Sequence, residues 1–334
     1  MSNLPVVLCT LPMHPVGDEM LEGHARIVVA PDTQADTFRR MVGDADYLLV
    51  RNQLPADLLD RPHRLQGIVR NGTGLDMIPV DAATAQSIPV ANVPGANAQA
   101  VAEHCIGGML ELARRHGAMD TKLRAEGWVA ARALSASGIE LSGRSLGIVG
   151  LGDIGQRLAR IAHFGFGMKV LAYRPGDAAM PEHVEKASLE EVLAQGDFVS
   201  LHCPLTPATR NLLNAERLAL MKPTAFLVNA ARGEVTDEAA LADALRRRAI
   251  AGAAIDVYAQ QPLRRDHPFL SLDNILLTPH TAALTEESGR LMSGGAARQI
   301  LQLIAGERPD HFVNPQVWDA HVARSRKLRL EAST

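Results

Sequence analysis

The chain has 334 residues with 34 basic and 37 acidic side chains, a formal net charge of −3, and 47% apolar, 21% charged and 4% aromatic residues. Domains usually run to about 100–200 residues, so two cores are expected. The near-neutral balance, with no long block of either sign, excludes the electrostatic footprint of a nucleic-acid binder or a polybasic membrane binder and leaves a small molecule as the expected partner.

In chain order, Leu4-Pro5-Val6-Val7-Leu8-Cys9-Thr10 follows no basic stretch and is broken by Pro12 and Pro15. It reads as a strand rather than a leader peptide. No apolar run reaches the ~18 residues that cross a bilayer. Short apolar runs predict buried strands at Val6–Cys9, Arg26–Ala30, Tyr47–Val50, Gly67–Arg70, Leu146–Gly150, Val170–Tyr173, Phe198–His202, Phe226–Asn229, Ala253–Val257 and Ile275–Leu277. Helix-length segments separate most of them, the pattern of α/β parallel sheets covered on both faces. Asn97–His116, after Pro94-Gly95, is read as a helical connector from a first domain into a second. Ser288–Ile304 is a later helix that returns to the first domain and makes it discontinuous. Cys9, Cys105 and Cys203 are far apart with no C-x-x-C pair. That spacing argues against a disulfide framework or a structural zinc site and fits a reducing cytoplasm.

Ser145-Leu146-Gly147-Ile148-Val149 runs directly into Gly150-Leu151-Gly152-Asp153-Ile154-Gly155, followed by a helical Gln156–Phe164 and a strand ending at Tyr173. A lone G-x-G-x-x-G also occurs in turns that bind nothing. Between strand and helix it acquires a mechanism: a tight turn, close backbone approach to a pyrophosphate, and tight helix–strand packing. The helix N-terminus then offers its N–H groups to phosphate. Where an acidic residue often receives the ribose 2′-hydroxyl, this chain has Arg174. Arginine there suits a 2′-phosphate and favours NADP over NAD, with Asp177 as the alternative ribose acceptor.

Together these segments resemble the D-isomer-specific 2-hydroxyacid dehydrogenase family over nearly the whole chain. The resemblance is carried by Arg70-Asn71-Gly72-Thr73-Gly74-Leu75-Asp76, Asn97 through Ala102-Glu103-His104, the Gly150–Gly155 turn, and His202-Cys203-Pro204-Leu205-Thr206. It continues through Asn229-Ala230-Ala231-Arg232-Gly233, Gly252-Ala253-Ala254-Ile255-Asp256-Val257 and Leu277-Thr278-Pro279-His280. It implies two Rossmann-like doubly wound domains: residues 97–284 bind the dinucleotide, and residues 1–96 with 285–334 form a discontinuous substrate domain. It further implies an NAD(P)-dependent enzyme interconverting a small D-2-hydroxy acid and its 2-keto acid, of the glyoxylate/hydroxypyruvate reductase or phosphoglycerate dehydrogenase kind.

By that resemblance Thr73 and Gly74 hold the substrate carboxylate with Arg232, whose planar fork also engages the 2-oxygen, and His280 is the acid/base. The cofactor groove would comprise Thr73, Gly150, Gly152, Asp153, Ile154, Gly155, Arg174, Cys203, Pro204, Ala230, Ala231, Arg232, Asp256, His280 and Ala282, with Asp256 on the nicotinamide carboxamide and Cys203 a small packing residue rather than a nucleophile. No metal is expected. Arg51 either approaches the substrate loop, favouring a second acidic group, or is a salt-bridged surface residue. Trp128 is either a homodimer contact through the nucleotide domain or a core indole. The sequence ends soon after Asn314-Pro315, which implies no added C-terminal regulatory domain.

One departure stands out. Most members carry a glutamate beside the catalytic histidine, and Asp256-Val257-Tyr258-Ala259-Gln260-Gln261-Pro262 has Gln261 there. A neutral amide orients the ring without stabilising imidazolium. Formate dehydrogenases of the superfamily also pair glutamine with histidine, so formate oxidation is an alternative. A dinucleotide-sensing binding protein without turnover is another.

Overall fold

The computed structural model describes residues 4–331, and the chain divides into two compact units. One takes the residues up to Asn97 and from Thr285 on; the other is Ala98–Leu284.

The first unit holds a five-stranded parallel sheet of Val6–Cys9 (β1), Arg26–Val29 (β2), Tyr47–Val50 (β3), Gly67–Arg70 (β4) and Val90–Ala91 (β5), in the order β2-β1-β3-β4-β5. β1 and β3 are buried along their whole length, as continuous apolar runs are when both faces are covered. Alternate residues divide between two cores. Val7, Leu49 and Val69 pack with Ile300 and Leu303, while Leu8, Leu48 and Ile68 pack with Phe38 and Leu58. Ile300 and Leu303 lie on the helix Glu286–Ala305, which starts at a Thr285/Ser288 capping box and stops at Gly306 in the left-handed conformation (φ +79°).

The second unit is doubly wound: Ser145–Val149 (β6), Lys169–Tyr173 (β7), Glu185–Lys186 (β8), Phe198–Leu201 (β9), Phe226–Asn229 (β10), Gly252–Ile255 (β11) and Ile275–Leu277 (β12). All pairings are parallel, in the order β12-β11-β10-β9-β6-β7-β8. Strand order reverses at β6, and in such sheets ligands bind outside the carboxyl ends of the strands at that point. Leu146, Ile148, Val228 and Ala254 face a core containing Cys105, Ile106 and Met109 of the helix Ala98–Arg114, and Val149, Val199, Leu227 and Ile255 face the other.

Several elements depart from the sequence reading. β5 and β8 were not expected, being two residues long. The connector helix ends at Arg114, because Arg115 turns left-handed (φ +56°) before a second helix, His116–Glu126. The helix after the glycine turn begins earlier, at Asp153, and loosens into a π-turn at Ile161–Gly165. Trp128 is 68% exposed and Val129 83%, so Trp128 is not a core indole. Among the described residues no helix is long and apolar enough to cross a membrane.

Candidate active site

The glycine turn sits at the switch point, and each glycine has its own reason. Gly150 has φ +99°, and a Cβ there would lie 2.7 Å from the Cys203 nitrogen and the His202 carbonyl carbon. At Gly155 a Cβ would meet the Gly150 oxygen at 2.4 Å. A Cβ on Gly152 would meet nothing within 4 Å, so no protein group requires glycine there. What the missing side chain preserves is open space in front of the helix Asp153–Arg160, whose N-cap, Gly152, offers no side-chain bond to the first turn. Room for backbone approach and uncapped N–H groups fit a dinucleotide pyrophosphate. Beyond β7, Arg174 is half-buried, while the exposed Asp177 carboxylate faces Lys186 at 3.4 Å. Asp177, the alternative ribose acceptor, thus already has a cationic neighbour.

The chemistry-bearing residues follow the carboxyl ends of β10, β11 and β12. Asn229, 1% exposed at the end of β10, accepts from the Ala231 N–H (3.0 Å) and donates to the Arg232 carbonyl (3.0 Å) and Thr236 Oγ1 (3.3 Å). Its amide thereby shapes the turn bearing Arg232. Gly233 then lets that turn settle on the next loop, since a Cβ there would fall 2.0 Å from the Tyr258 carbonyl carbon. After β11, the 2%-exposed Asp256 accepts on Oδ1 from the Thr278 hydroxyl (2.6 Å) and the Thr281 N–H (2.8 Å), and on Oδ2 from the Ala282 N–H (2.9 Å). Its carbonyl accepts the His280 N–H at 2.8 Å. These bonds hold His280 at φ +56°, a left-handed conformation that histidine tolerates better than most residues. Asp256 is therefore first the brace of the His280 turn.

Gln261 Oε1 lies 2.8 Å from His280 Nδ1, and Gln261 Nε2 donates to the Tyr258 carbonyl at 3.2 Å. With Nε2 committed to a carbonyl, Oε1 accepts and Nδ1 carries the proton, which makes Nε2 the ring nitrogen that can exchange one. The Tyr258 hydroxyl, pushed up to about 12 by burial and the Asp256 charge, donates to the Thr278 carbonyl at 2.9 Å. It ties the Gln261 loop to the His280 turn.

In the first unit, the Arg70 guanidinium gathers the carbonyls of Gly74 (3.1 Å), Val50 (2.8 Å) and Asn71 (2.8 Å), and Asn92 holds the Thr73 carbonyl at 2.8 Å. Among the described residues the Thr73 and Gly74 amides donate to no protein group. Arg51 bonds the Pro12 carbonyl and forms no ion pair among the described residues, so the salt-bridged alternative fails. Burial pushes the Cys203 thiol up to about 11 and those of Cys9 and Cys105 to about 12, where none is a thiolate nucleophile at neutral pH. No cluster of metal-ligating side chains occurs among the described residues.

The motifs pointed to Arg232, Gln261 and His280 but gave no roles to Asn229, Gly233 or Tyr258. Only the Asn229-to-Gly233 run carried a signal that the turn itself mattered.

Residues 106–282 match the family model for the D-isomer specific 2-hydroxyacid dehydrogenase, NAD binding domain. The chain is 37% identical over 317 residues to D-3-phosphoglycerate dehydrogenase of Methanocaldococcus jannaschii, an alignment covering 92% of this chain and 59% of that protein. It is 35% identical over 325 residues to glyoxylate reductase of Aeropyrum pernix, covering 94% of this chain and 97% of that one. The chain thus spans under two thirds of the phosphoglycerate dehydrogenases and nearly all of the glyoxylate reductase. The NADPH-dependent glyoxylate/hydroxypyruvate reductase of Sinorhizobium meliloti, solved with NADP and malonate, superposes with a TM-score of 0.83 at 28% identity, over 92% of this chain and 96% of that one.

Proposed function

The chain belongs to the D-isomer specific 2-hydroxyacid dehydrogenase family, and from that premise we propose that it is an NAD(P)-dependent oxidoreductase interconverting a small D-2-hydroxy acid and its 2-keto acid. The observation that carries the proposal is the Gln261–His280 pair, 2.8 Å apart and oriented so that Nε2 of the histidine exchanges the proton. The nicotinamide, when bound, supplies or accepts the hydride. In reduction, Arg232 binds the carboxylate and stabilises the charge developing on the 2-oxygen. His280 gives that oxygen the Nε2 proton as the C–O bond becomes single, and keeps its Nδ1 proton on Gln261. Oxidation runs the same transfers backwards.

The Gly150–Gly155 turn holds the pyrophosphate in this reading, with Ala230, Ala231, Cys203, Pro204 and Ala282 along the groove. Asp256 would hold the nicotinamide carboxamide, as the family resemblance implies. Thr73 and Gly74 are assigned to the substrate carboxylate on the family resemblance and on their undonated amides. Arg174 selects NADP. Exposed Trp128 and Val129 beside the half-exposed Leu123 support a homodimer, and unpaired, buried cysteines support a reducing cytoplasm.

Purified protein is mixed with NADPH or NADH and glyoxylate, hydroxypyruvate, pyruvate or phenylpyruvate, with formate plus each oxidised cofactor in parallel. Keto-acid reduction, faster with NADPH, is expected. A preference for NADH removes the Arg174 assignment alone; turnover of formate only overturns the substrate class; and tight dinucleotide binding without turnover makes the protein a sensor. Gln261→Glu adds a carboxylate that favours imidazolium, the proton donor in reduction. The high-pH limb of the rate profile should move up by about one unit, and a limb that stays put removes His280 as the group titrating there.

A further inference from the structure

We propose that Glu238 is a positioning residue for this reaction, acting through the Ala259 amide to hold Gln261 in register with His280. The inference rests on the acid/base assignment above. Glu238 opens the helix Glu238–Arg246, yet its carboxylate is not used by that helix. Asp237 already caps it, accepting from the Ala239 and Ala240 N–H groups at 3.0 Å each. The Glu238 side chain, 20% exposed, turns instead to the loop after β11: Oε1 accepts the Ala259 N–H at 2.8 Å, and Oε2 lies 3.3 Å from Nε2 of His267.

His267 fixes the second oxygen. Its Nδ1 accepts the Phe269 N–H at 3.3 Å, so the ring proton sits on Nε2 and is donated to Glu238. The ring is wedged edge-on against Phe269, centroids 4.6 Å apart, and is 15% exposed. Glu238 is therefore anchored on one side by a held imidazole and grips the loop with the other.

The grip matters because Gln261 is itself exposed, so water competes for its bond to His280. Its Nε2 is anchored on the Tyr258 carbonyl, which belongs to the same peptide unit as the Ala259 N–H held by Glu238. Fixing that N–H fixes the direction of the carbonyl, and the carbonyl decides which end of the Gln261 amide faces the ring. Without Glu238 the peptide unit can rotate and Gln261 can present its NH2 to Nδ1, which would put the ring proton on the wrong nitrogen.

The experiment is a double-mutant cycle on keto-acid reduction with Glu238→Ala, Gln261→Ala and the pair, with His280→Ala as control. Glu238→Ala should lower kcat about tenfold and leave the KM for NADPH within about twofold, but should cost less than about twofold on top of Gln261→Ala. Glu238→Gln, which keeps an acceptor for the Ala259 N–H, should recover most of kcat. The same factor lost in both backgrounds, or no loss in either, overturns the positioning role. Should Glu238→Ala not fold, Glu238→Met, which fills the same space without an acceptor for the Ala259 N–H, runs the same cycle. Full turnover in His280→Ala would instead remove the acid/base assignment, so the two failures are told apart.

Discussion

Asn229 ends β10 and Asp256 follows the end of the neighbouring parallel β11; both are buried and both brace a turn that carries a proposed reacting side chain, but with different chemistry. Asn229 both donates and accepts, and closes its turn on itself through the Ala231 N–H and the Arg232 carbonyl. Asp256 can only accept, and reaches across to the strand beside it to collect the Thr278 hydroxyl and two amides of the His280 turn. A neutral brace under a guanidinium adds no competing anion where a substrate carboxylate would bind. An acceptor-only brace can gather several donors at one point and hold a histidine in the left-handed conformation.

The largest effect should come from Gly233→Ala, which breaks both halves at once. Its Cβ would need the space of the Tyr258–Ala259 backbone, so the Arg232 turn and the Gln261 loop cannot both keep their places. A stability loss of about 3 kcal/mol, read from urea unfolding, should accompany loss of turnover; a variant of normal stability and activity would show that the two loops do not depend on each other.

Exchanging the braces separates them. Asp256→Asn replaces an acceptor with a donor among groups that all donate, so one of the three bonds becomes a clash of hydrogens, and kcat should fall about a hundredfold with the KM for keto acid changed far less. Asn229→Ala removes the bonds shaping the Arg232 turn and should act the other way, raising that KM about tenfold with the smaller change in kcat. Equal effects on the same kinetic constant would mean that the braces are interchangeable supports.

This contrast also marks what was readable in the sequence. Four-residue apolar runs such as Tyr47–Val50 announce strands because both faces are buried, whereas β8, a Glu-Lys pair at the sheet edge, carries no such pattern and is a strand only because β7 lies beside it. The helix His116–Glu126 buries none of its residues, and so leaves no apolar stripe to read. Arg232, Gln261 and His280 were legible as motif positions. Gly233 was legible only as the last residue of a motif and Glu238 not at all, since the need for each arises from a backbone that arrives from a distant part of the chain: glycine to let the Tyr258 peptide approach, glutamate to hold it.

A third strand end sharpens the comparison with the smallest effect. His202 follows β9, next to Asn229, and is bound on one side only: Nε2 meets Ser200 Oγ at 2.8 Å, while the buried Nδ1 has no partner. Burial pushes its pKa from 6.5 down to about 4, so the folded ring stays neutral where the unfolded one is charged. Between those values, as pH falls, the unfolded chain takes up a proton that the folded chain refuses, and the equilibrium moves toward unfolding. Stability should therefore drop by at most about 1.4 kcal/mol per pH unit in that window from this residue. It is fully retained above pH 6.5, where both states are neutral. In His202→Gln, which keeps an acceptor for Ser200 but has no proton to gain, urea midpoints at pH 7 and pH 5 should lie closer together than in the native chain. An unchanged gap would mean that the ring is charged in the folded state too, and that the end of β9 holds it as firmly as Asn229 and Asp256 are held.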